Sequence, residues 1–333
     1  MYREYFGLRE YPFRLAPDLD YLYLSRGHAR AKSYLDYALV SNDGFVVITG
    51  AVGSGKTTLL HNLLARLPER VRFAHIEHTQ LTPTEFLQAV VQRLVGDVDT
   101  DNKVELLRYL RLFVEQAHAR GMRLVLAIDE AQGLSFEVLE EIRMLAGIAA
   151  GKDKPISMVL MGQPELARVI ETPRLEQLRQ RVRLRFHLEG MTAEETREYV
   201  SLRLGVAGAE EEDANGIFTE DAIEPLYEYS GGIPRLINTL CDMALLTAYV
   251  DEQPRVDAEV MRTAAAELEW RPYEQRYAAE ADTEEPAAPT SMIPASQYAR
   301  LTDALDRIDA NLGRIAGALE RQPDARTWES DAS

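Results

Sequence analysis

A glycine-rich loop that ends in lysine and threonine contains the residue types that hold the phosphates of a nucleotide. The loop and the residue after it are Gly50, Ala51, Val52, Gly53, Ser54, Gly55, Lys56, Thr57 and Thr58. The glycines let backbone N–H groups turn toward phosphate oxygens, and the helix expected from Lys56 adds positive potential at its N-terminus. Lys56 should reach the β- and γ-phosphates, and the Thr57 hydroxyl should ligate Mg²⁺. The loop therefore predicts binding of ATP with Mg²⁺.

Two acidic residues, Asp129 and Glu130, come directly after the apolar run Leu124–Ile128, which reads as a buried strand. The Asp129 carboxylate can hold Mg²⁺ through its water shell. The Glu130 carboxylate can orient and deprotonate an attacking water, although an acid in a loop can also be merely solvated. Together with the phosphate loop, this pair predicts hydrolysis of ATP.

Further polar groups are candidates for the same site. Gln163 follows the apolar run Ile156–Met161, where its side chain can contact the γ-phosphate or the attacking water, or simply form a turn. Arg235 begins a helix of a second domain and can bind the nucleotide from that side. Four arginines alternate with other residues near the fifth strand: Arg179, Arg181, Arg183 and Arg185. They form either a solvated face or, for one of them, a finger that stabilises charge on a neighbouring subunit's ATP.

The elements that position these residues alternate between apolar strands and helices up to about residue 190, which predicts a parallel sheet covered on both faces. Residues 192–269 read as helices alone, with capping-box spacing from Thr192 to Glu195. The fold class is therefore α/β, with a nucleotide-binding domain at 1–190 that includes an extended N-terminal segment. A small helical domain is expected at 191–270.

The remaining sequence changes character. Residues 271–295 are rich in alanine, proline and acid, which predicts a disordered linker. In 296–322, apolar residues repeat at heptad spacing before a short tail at 323–333: Leu301, Leu305, Ile308, Leu312, Ile315 and Leu319. This pattern is typical of a coiled coil that binds a partner protein, or of one amphipathic helix docked on the body.

Composition bounds the class of protein. The net charge is −17 with a pI of about 4.9, so a nucleic-acid partner is not favoured, although a local basic groove is compatible with these totals. A single cysteine, Cys241, precludes an intramolecular disulfide. No apolar run is long enough for a signal peptide or a membrane span. The expected location is the cytoplasm, or the inner membrane periphery through a partner.

These motifs, in this order, resemble those of the AAA+ ATPases, and within them the ExeA/general secretion pathway A group. The matching segments are Phe6-Gly7-Leu8, Pro12-Phe13, Pro17-Asp18, Tyr23-Leu24-Ser25, His28, Val47-Ile48-Thr49-Gly50, Ile128-Asp129-Glu130-Ala131-Gln132, Gly162-Gln163-Pro164-Glu165-Leu166, Gln180-Arg181 and Gly231-Gly232-Ile233-Pro234-Arg235-Leu236-Ile237-Asn238. The resemblance covers residues 1–270. It implies a five-stranded sheet ordered 5-1-4-3-2, a helical lid, ATP at a subunit junction, and a ring or filament of identical subunits.

The resemblance also implies roles for single residues. Gln163 matches sensor 1, Arg235 matches sensor 2, and Arg181 matches the arginine finger best, with Arg179 second. Many relatives carry asparagine after the second strand, where it restrains the catalytic glutamate; here that position is His78. Secretion-type members continue into a membrane span and a peptidoglycan-binding domain. This sequence shows neither, and it resembles instead the soluble ATPases found with exopolysaccharide and PEP-CTERM/exosortase loci.

Three functions follow as alternatives. The first is an oligomeric ATPase motor or switch in envelope secretion or exopolysaccharide export. The second is a DNA-binding transposition regulator of the same architecture, which the excess of 54 acidic over 37 basic residues disfavours. The third is a nucleotide-gated scaffold that recruits a partner through 296–322.

Overall fold

The computed structural model describes residues 2–16, 18–40, 45–148, 156–208 and 216–276. They belong to one compact unit, Met1–Tyr277. The predicted heptad helix at 296–322, the tail at 323–333 and all but the first residues of the predicted linker lie outside the described residues.

The described residues include a five-stranded parallel sheet. Its strands are β1 (Phe45–Gly50), β2 (Val71–Ile76), β3 (Arg123–Ile128), β4 (Ile156–Gly162) and β5 (Leu184–Leu188). Their order is β2-β3-β4-β1-β5, which confirms the predicted order 5-1-4-3-2. Every residue of β1 and β4 is buried, as expected for apolar strands covered on both faces. The loops after β1, β3 and β4 consequently leave the sheet at one edge.

Seven α-helices of the sheet domain lie within the described residues. They are α2 (Arg26–Val40), α3 (Lys56–Leu64), α4 (Pro83–Leu94), α5 (Lys103–Ala119), α6 (Phe136–Leu145), α7 (Pro164–Glu171) and α8 (Glu176–Arg179). Three of them, α4, α5 and α6, begin with a side-chain cap. Thr82 and Glu85 form a capping box ahead of α4, and Asn102 caps α5 through its side-chain oxygen. The main core lies between these helices and the sheet, around Phe86, Leu110 and Leu126.

Four helices after the sheet form a second core, which we call the lid. They are α9 (Ala193–Val206), α10 (Ile223–Ser230), α11 (Pro234–Val250) and α12 (Ala258–Glu267). The Thr192–Glu195 capping box is present ahead of α9, as predicted. The N-terminal residues pack with this lid, because Tyr2, Leu8 and Phe13 are buried in its core. The predicted extended segment thus includes a short helix, α1 (Tyr2–Tyr5), and fills the lid rather than the sheet domain.

The second strand ends before His78. β2 ends at Ile76, so His75 lies within the strand and His78 follows it, at the position that the resemblance gives it. The pairing of β2 with β3 ends here, because β3 ends at Ile128. The next residue, Asp129, donates from its backbone N–H to the Ile76 carbonyl oxygen at 3.0 Å. His78 therefore lies in the exposed loop beyond the sheet.

Membrane-spanning helices and clusters of metal ligands are both absent from the described ranges. In these ranges, no helix combines the length and the apolar character that a membrane crossing needs. The same part of the chain holds no group of three or more His, Cys, Asp or Glu side chains arranged for a metal ion.

Candidate functional site

The glycine-rich loop connects β1 to α3 and needs glycine at two positions. Gly53 has φ +79° and Gly55 has φ +96°, which is left-handed backbone that other residues adopt only with strain. Both glycines also have close neighbours. A Cβ at Gly53 would lie 2.3 Å from the Arg235 Cβ, and a Cβ at Gly55 would lie 2.8 Å from the His28 Nε2. The loop is therefore shaped by its own backbone and by two distant side chains.

Lys56 is buried at the start of α3, with 5% of its surface exposed. Its Nζ donates to the carbonyl oxygens of Gly50 at 2.8 Å and Ala51 at 3.0 Å. Burial lowers the pKa of Lys56, and the negative charges of nearby Glu130, Asp129 and Glu165 oppose that shift. The ammonium group thus lies among acids, where a bound phosphate would compete for it.

The threonine and aspartate predicted to hold Mg²⁺ are in contact. Thr57 Oγ1 donates to Asp129 Oδ2 at 2.6 Å, across the edge between the loop and β3. The other carboxylate oxygen, Asp129 Oδ1, accepts from Glu130 N at 2.9 Å. One hydroxyl and one carboxylate are the hard oxygen donors that Mg²⁺ takes from protein when phosphates and water complete its shell. The donor set therefore fits Mg²⁺.

Glu130 follows in left-handed backbone, with φ +49°, and its side chain is exposed. Its Oε2 accepts a hydrogen bond from Gln132 Nε2 at 2.6 Å. Gln132 Oε1 in turn accepts from Gln163 N at 3.0 Å. The resemblance assigned the restraint of Glu130 to the His78 position, but the hydrogen bond comes from Gln132. The resemblance includes Gln132 in the segment Ile128–Gln132 but gives it no role of its own.

His28 is the second site residue that the sequence analysis did not assign. It is 4% exposed at the start of α2, and its Nε2 lies 2.9 Å from the Ser54 carbonyl oxygen. Its Nδ1 lies 2.7 Å from Ser25 Oγ. Burial lowers the pKa of His28, so the neutral ring donates from Nε2 to Ser54 and accepts from the Ser25 hydroxyl at Nδ1. This chain of hydrogen bonds supports the phosphate loop from the N-terminal segment.

The lid contacts the loop through the first turn of α11. Arg235 N donates to the Gly53 carbonyl oxygen at 3.3 Å. The loop, the lid and the N-terminal segment enclose a cavity of about 370 Å³, which is in the range of small-molecule sites. Lys56, Thr57 and Glu130 line one wall of this cavity, and Arg235 lines another. The cavity therefore brings together the predicted phosphate-binding and lid residues.

A buried arginine of the lid holds the N-terminal segment beside this cavity. Arg203 Nε donates to the Pro12 carbonyl oxygen at 2.5 Å, and its Nη1 donates to Tyr199 Oη at 2.7 Å. Its guanidinium also lies 4.6 Å from the centre of the Tyr21 ring, at cation–π distance. Arg203, Tyr199 and Tyr21 all line the cavity. The cavity wall thus joins the lid to the segment that leads into α2.

The two candidate arginine fingers lie outside the cavity lining. Arg181 Nη1 donates to the Arg143 carbonyl oxygen at 2.8 Å, at the end of α6. Arg179 Nη1 pairs with Glu171 Oε2 at 3.2 Å. Gln163 occupies the N-cap position of α7 at the end of β4 without a capping hydrogen bond from its side chain, and its backbone N–H meets Gln132. The structure thus gathers the loop, the acids and Arg235, and places both candidate arginine fingers at other contacts.

Known proteins resemble this chain in sequence. Residues 39–170 match the family model described as AAA domain. General secretion pathway protein A of Aeromonas hydrophila is 40% identical over 250 residues, which are 75% of this chain and 45% of that protein. The chain therefore spans less than half the length of that relative.

Solved structures match at the level of the fold. Cdc6p from Pyrobaculum aerophilum has a TM-score of 0.58 at 19% identity, with 76% of this chain and 70% of that chain covered. The ORC2 protein of Aeropyrum pernix, in ADPNP and ADP complexes, has a TM-score of 0.54 at 20% identity, with 74% and 68% covered. At these identities the likeness shows a shared fold.

Proposed function

Because this chain belongs to the AAA+ ATPases related to general secretion pathway protein A, we propose that it hydrolyses ATP with Mg²⁺ and works as an oligomeric motor or switch in envelope secretion or exopolysaccharide export. The observation that carries the hydrolysis is the contact of Thr57 Oγ1 with Asp129 Oδ2 at 2.6 Å, with Glu130 as the next residue. A hydroxyl, a carboxylate and a candidate base then stand together at the end of β3.

Each residue of the site has a distinct part in the proposed reaction. Bound Mg²⁺ neutralises phosphate charge, and Thr57 and Asp129 would hold it. Lys56 turns from the loop carbonyl oxygens to the β- and γ-phosphates. Glu130 accepts a proton from the attacking water, and Gln163 helps to orient that water.

The lid carries the consequence of hydrolysis in this proposal. Arg235 lies at the first turn of α11 and contacts the phosphate loop through its backbone. Loss of the γ-phosphate would remove a charge that the Arg235 guanidinium binds, so the lid would change position. A lid that moves with each hydrolysis step can transmit force to a partner or to the next subunit. Arg181 is the proposed finger at that next subunit's ATP.

The first test measures phosphate release by the purified protein with Mg²⁺ and ATP. We expect Glu130→Gln to lower the rate by at least about 100-fold, since a positioned base contributes 10²–10⁴-fold. ATP binding should persist, because Lys56, Thr57 and Asp129 are intact. Glu115→Gln, an exposed glutamate of α5, is the matched control and should keep the wild-type rate. Normal hydrolysis by Glu130→Gln would refute the catalytic assignment.

The pathway needs a test in cells. Replacing the native gene with the Glu130→Gln variant should stop export of envelope polysaccharide or of secreted protein while the protein is still produced. Unchanged export would remove the secretion role. Salt-sensitive stimulation of the ATPase by duplex DNA would favour the DNA-binding alternative instead.

A further inference from the structure

Glu130 needs a positioning partner, because its side chain is exposed at the end of β3. A glutamate carboxylate on three rotatable bonds samples many positions in water, and a general base must lie within hydrogen-bond reach of its proton. The hydrogen bond from Gln132 Nε2 to Glu130 Oε2, at 2.6 Å, selects one of these positions. It leaves Glu130 Oε1 available to a water molecule.

The local backbone makes this short-range contact feasible. Glu130 adopts left-handed backbone, and residues Ala131–Gly133 form a turn of 3-10 helix directly after it. Gly133 N donates to the Glu130 carbonyl oxygen at 3.0 Å, which closes that turn. The chain therefore folds back within three residues, and the Gln132 amide reaches the Glu130 carboxylate.

The other end of the Gln132 amide is held by a different strand. Gln132 Oε1 accepts from Gln163 N at 3.0 Å, directly after β4. A Cβ at Gly162 would come within 2.7 Å of the same oxygen, so glycine at this position leaves room for it. A backbone N–H can only donate and a carboxylate can only accept, so these two partners determine which end of the amide is oxygen. Gln132 is thus oriented by chemistry at both ends.

We infer that Gln132 is a positioning residue for ATP hydrolysis. Its amide links the Glu130 carboxylate to the Gln163 backbone N–H and so holds the carboxylate at a fixed place between the ends of β3 and β4. This inference rests on the proposed ATPase function. Gln132 acts through Glu130, and its amide need not touch the nucleotide. Removing the amide releases the base from its position and leaves the phosphate loop and the magnesium ligands in place.

Two substitutions distinguish a positioning role of Gln132 from a purely structural role, in which Gln132 only links the ends of β3 and β4. Gln132→Ala removes both hydrogen bonds. Gln132→Glu keeps an oxygen that can accept from Gln163 N, but it cannot donate to Glu130 and places a second negative charge beside it. A role that is only structural predicts near-normal activity for Gln132→Glu. A positioning role predicts that both variants lose activity.

The experiment measures kcat and KM for phosphate release, together with affinity for ATP and ADP. We expect kcat to fall about tenfold or more in Gln132→Ala and in Gln132→Glu, with KM and nucleotide affinity within about twofold, since the loss concerns the transition state. In a Glu130→Asp background, the shorter carboxylate is out of reach of the Gln132 amide. Adding Gln132→Ala to this background should therefore lower kcat by less than about a further twofold. The control is Gln88→Ala on α4, which removes the hydrogen bond from the Gln88 side-chain amide to the Thr100 carbonyl oxygen.

The results that would contradict the positioning role of Gln132 differ from the result that would contradict the ATPase function. A wild-type kcat in Gln132→Glu, or equal losses of kcat and nucleotide affinity, would show that Gln132 only supports the fold. A higher kcat in Gln132→Ala would overturn positioning, because Gln132 would then restrain the base. A wild-type protein that releases no phosphate would overturn the proposed function itself, and this inference with it, before any variant is compared.

Discussion

Three histidine side chains around the proposed nucleotide site have lowered pKa values, with desolvation as the largest cause. Burial lowers the pKa values of His28, His75 and His187 below the usual 6.5. His28 supports the phosphate loop, and His187 Nδ1 lies 3.0 Å from Thr49 Oγ1 on β1. Each ring gains a proton more readily in the unfolded chain than in the folded protein. At the scale of single residues, mild acid is therefore expected to destabilise the same region that we propose binds the nucleotide.

His28 is the most buried of these rings, and we expect stability to fall as the pH drops below 6.5. The sign follows from linkage: below that pH the unfolded chain binds the extra proton, so its population gains. The nearby Glu195 carboxylate opposes the shift without reversing it. Urea unfolding near pH 7.5 and near pH 5.5 should show a smaller loss of stability in His28→Gln than in wild type. Exposed His78→Gln is the control, and an identical pH dependence in all three proteins would contradict the prediction.

The contact between α11 and the phosphate loop is the decisive feature at the scale of elements. The backbone of Arg235 meets Gly53 so closely that a single added carbon would collide with the arginine side chain. The buried Arg203 on α9 adds a second link, from the lid to the N-terminal segment. Two helices of the lid therefore touch the nucleotide cavity through different neighbours.

Gly53→Ala should separate this contact from ordinary backbone strain. Gly96 is the matched control, because it also has positive φ, +123°, but has nothing within 4 Å of an added Cβ. Both variants should lose about 1–2 kcal/mol of stability from left-handed backbone at a residue other than glycine, and Gly53→Ala should lose more because the added Cβ collides with Arg235. Gly53→Ala alone should also lose ATP affinity by about tenfold or more, since it displaces Arg235 and the loop. Titration with ATP and urea unfolding provide the measurements, and equal ATP affinity in both variants would contradict the expectation.

At the scale of the whole molecule, the cavity lies within the unit Met1–Tyr277, but the candidate fingers do not line it. Arg181 binds the Arg143 carbonyl oxygen on its own subunit. To act on a neighbouring subunit, the Arg181 guanidinium would release the Arg143 carbonyl oxygen and bind phosphate oxygens of that subunit's ATP. The predicted ring or filament would then complete each site with a residue from the next copy.

Mixing two inactive variants tests whether the site is shared between subunits. Arg181→Ala and Lys56→Ala should each hydrolyse ATP poorly, because one lacks the finger and the other lacks the phosphate ligand. In a random one-to-one mixture, about a quarter of the junctions would pair an intact Lys56 with an intact Arg181. Phosphate release should recover toward that fraction of the wild-type rate. No recovery at any mixing ratio would exclude Arg181 as a finger in trans, and Arg179→Ala in the same mixture tests the second choice.

The sequence predicted a parallel sheet and the places of the main chemical groups, and the resemblance to the AAA+ ATPases implied the order of the strands. The alternation of apolar strands and helices predicted a parallel sheet, and in such a sheet the carboxyl ends of neighbouring strands meet at one edge. Thr57 and Asp129 could therefore be placed together before any contact was known. The hydrogen bond between the Gln132 side chain and the Gln163 backbone could not be predicted, because it uses a backbone N–H that no residue type signals and joins two different strand ends.

The amino-acid sequence by itself determined the phosphate loop, the acidic pair after β3 and the capped starts of α4 and α9. These features depend on residues within a few positions of one another, so local pattern is enough to specify them. Only the tertiary structure decided that His28 supports Ser54, that Arg235 approaches Gly53, and that the N-terminal aromatics fill the lid. Those contacts join segments far apart in the chain, and they follow from how the two cores pack rather than from any local spacing.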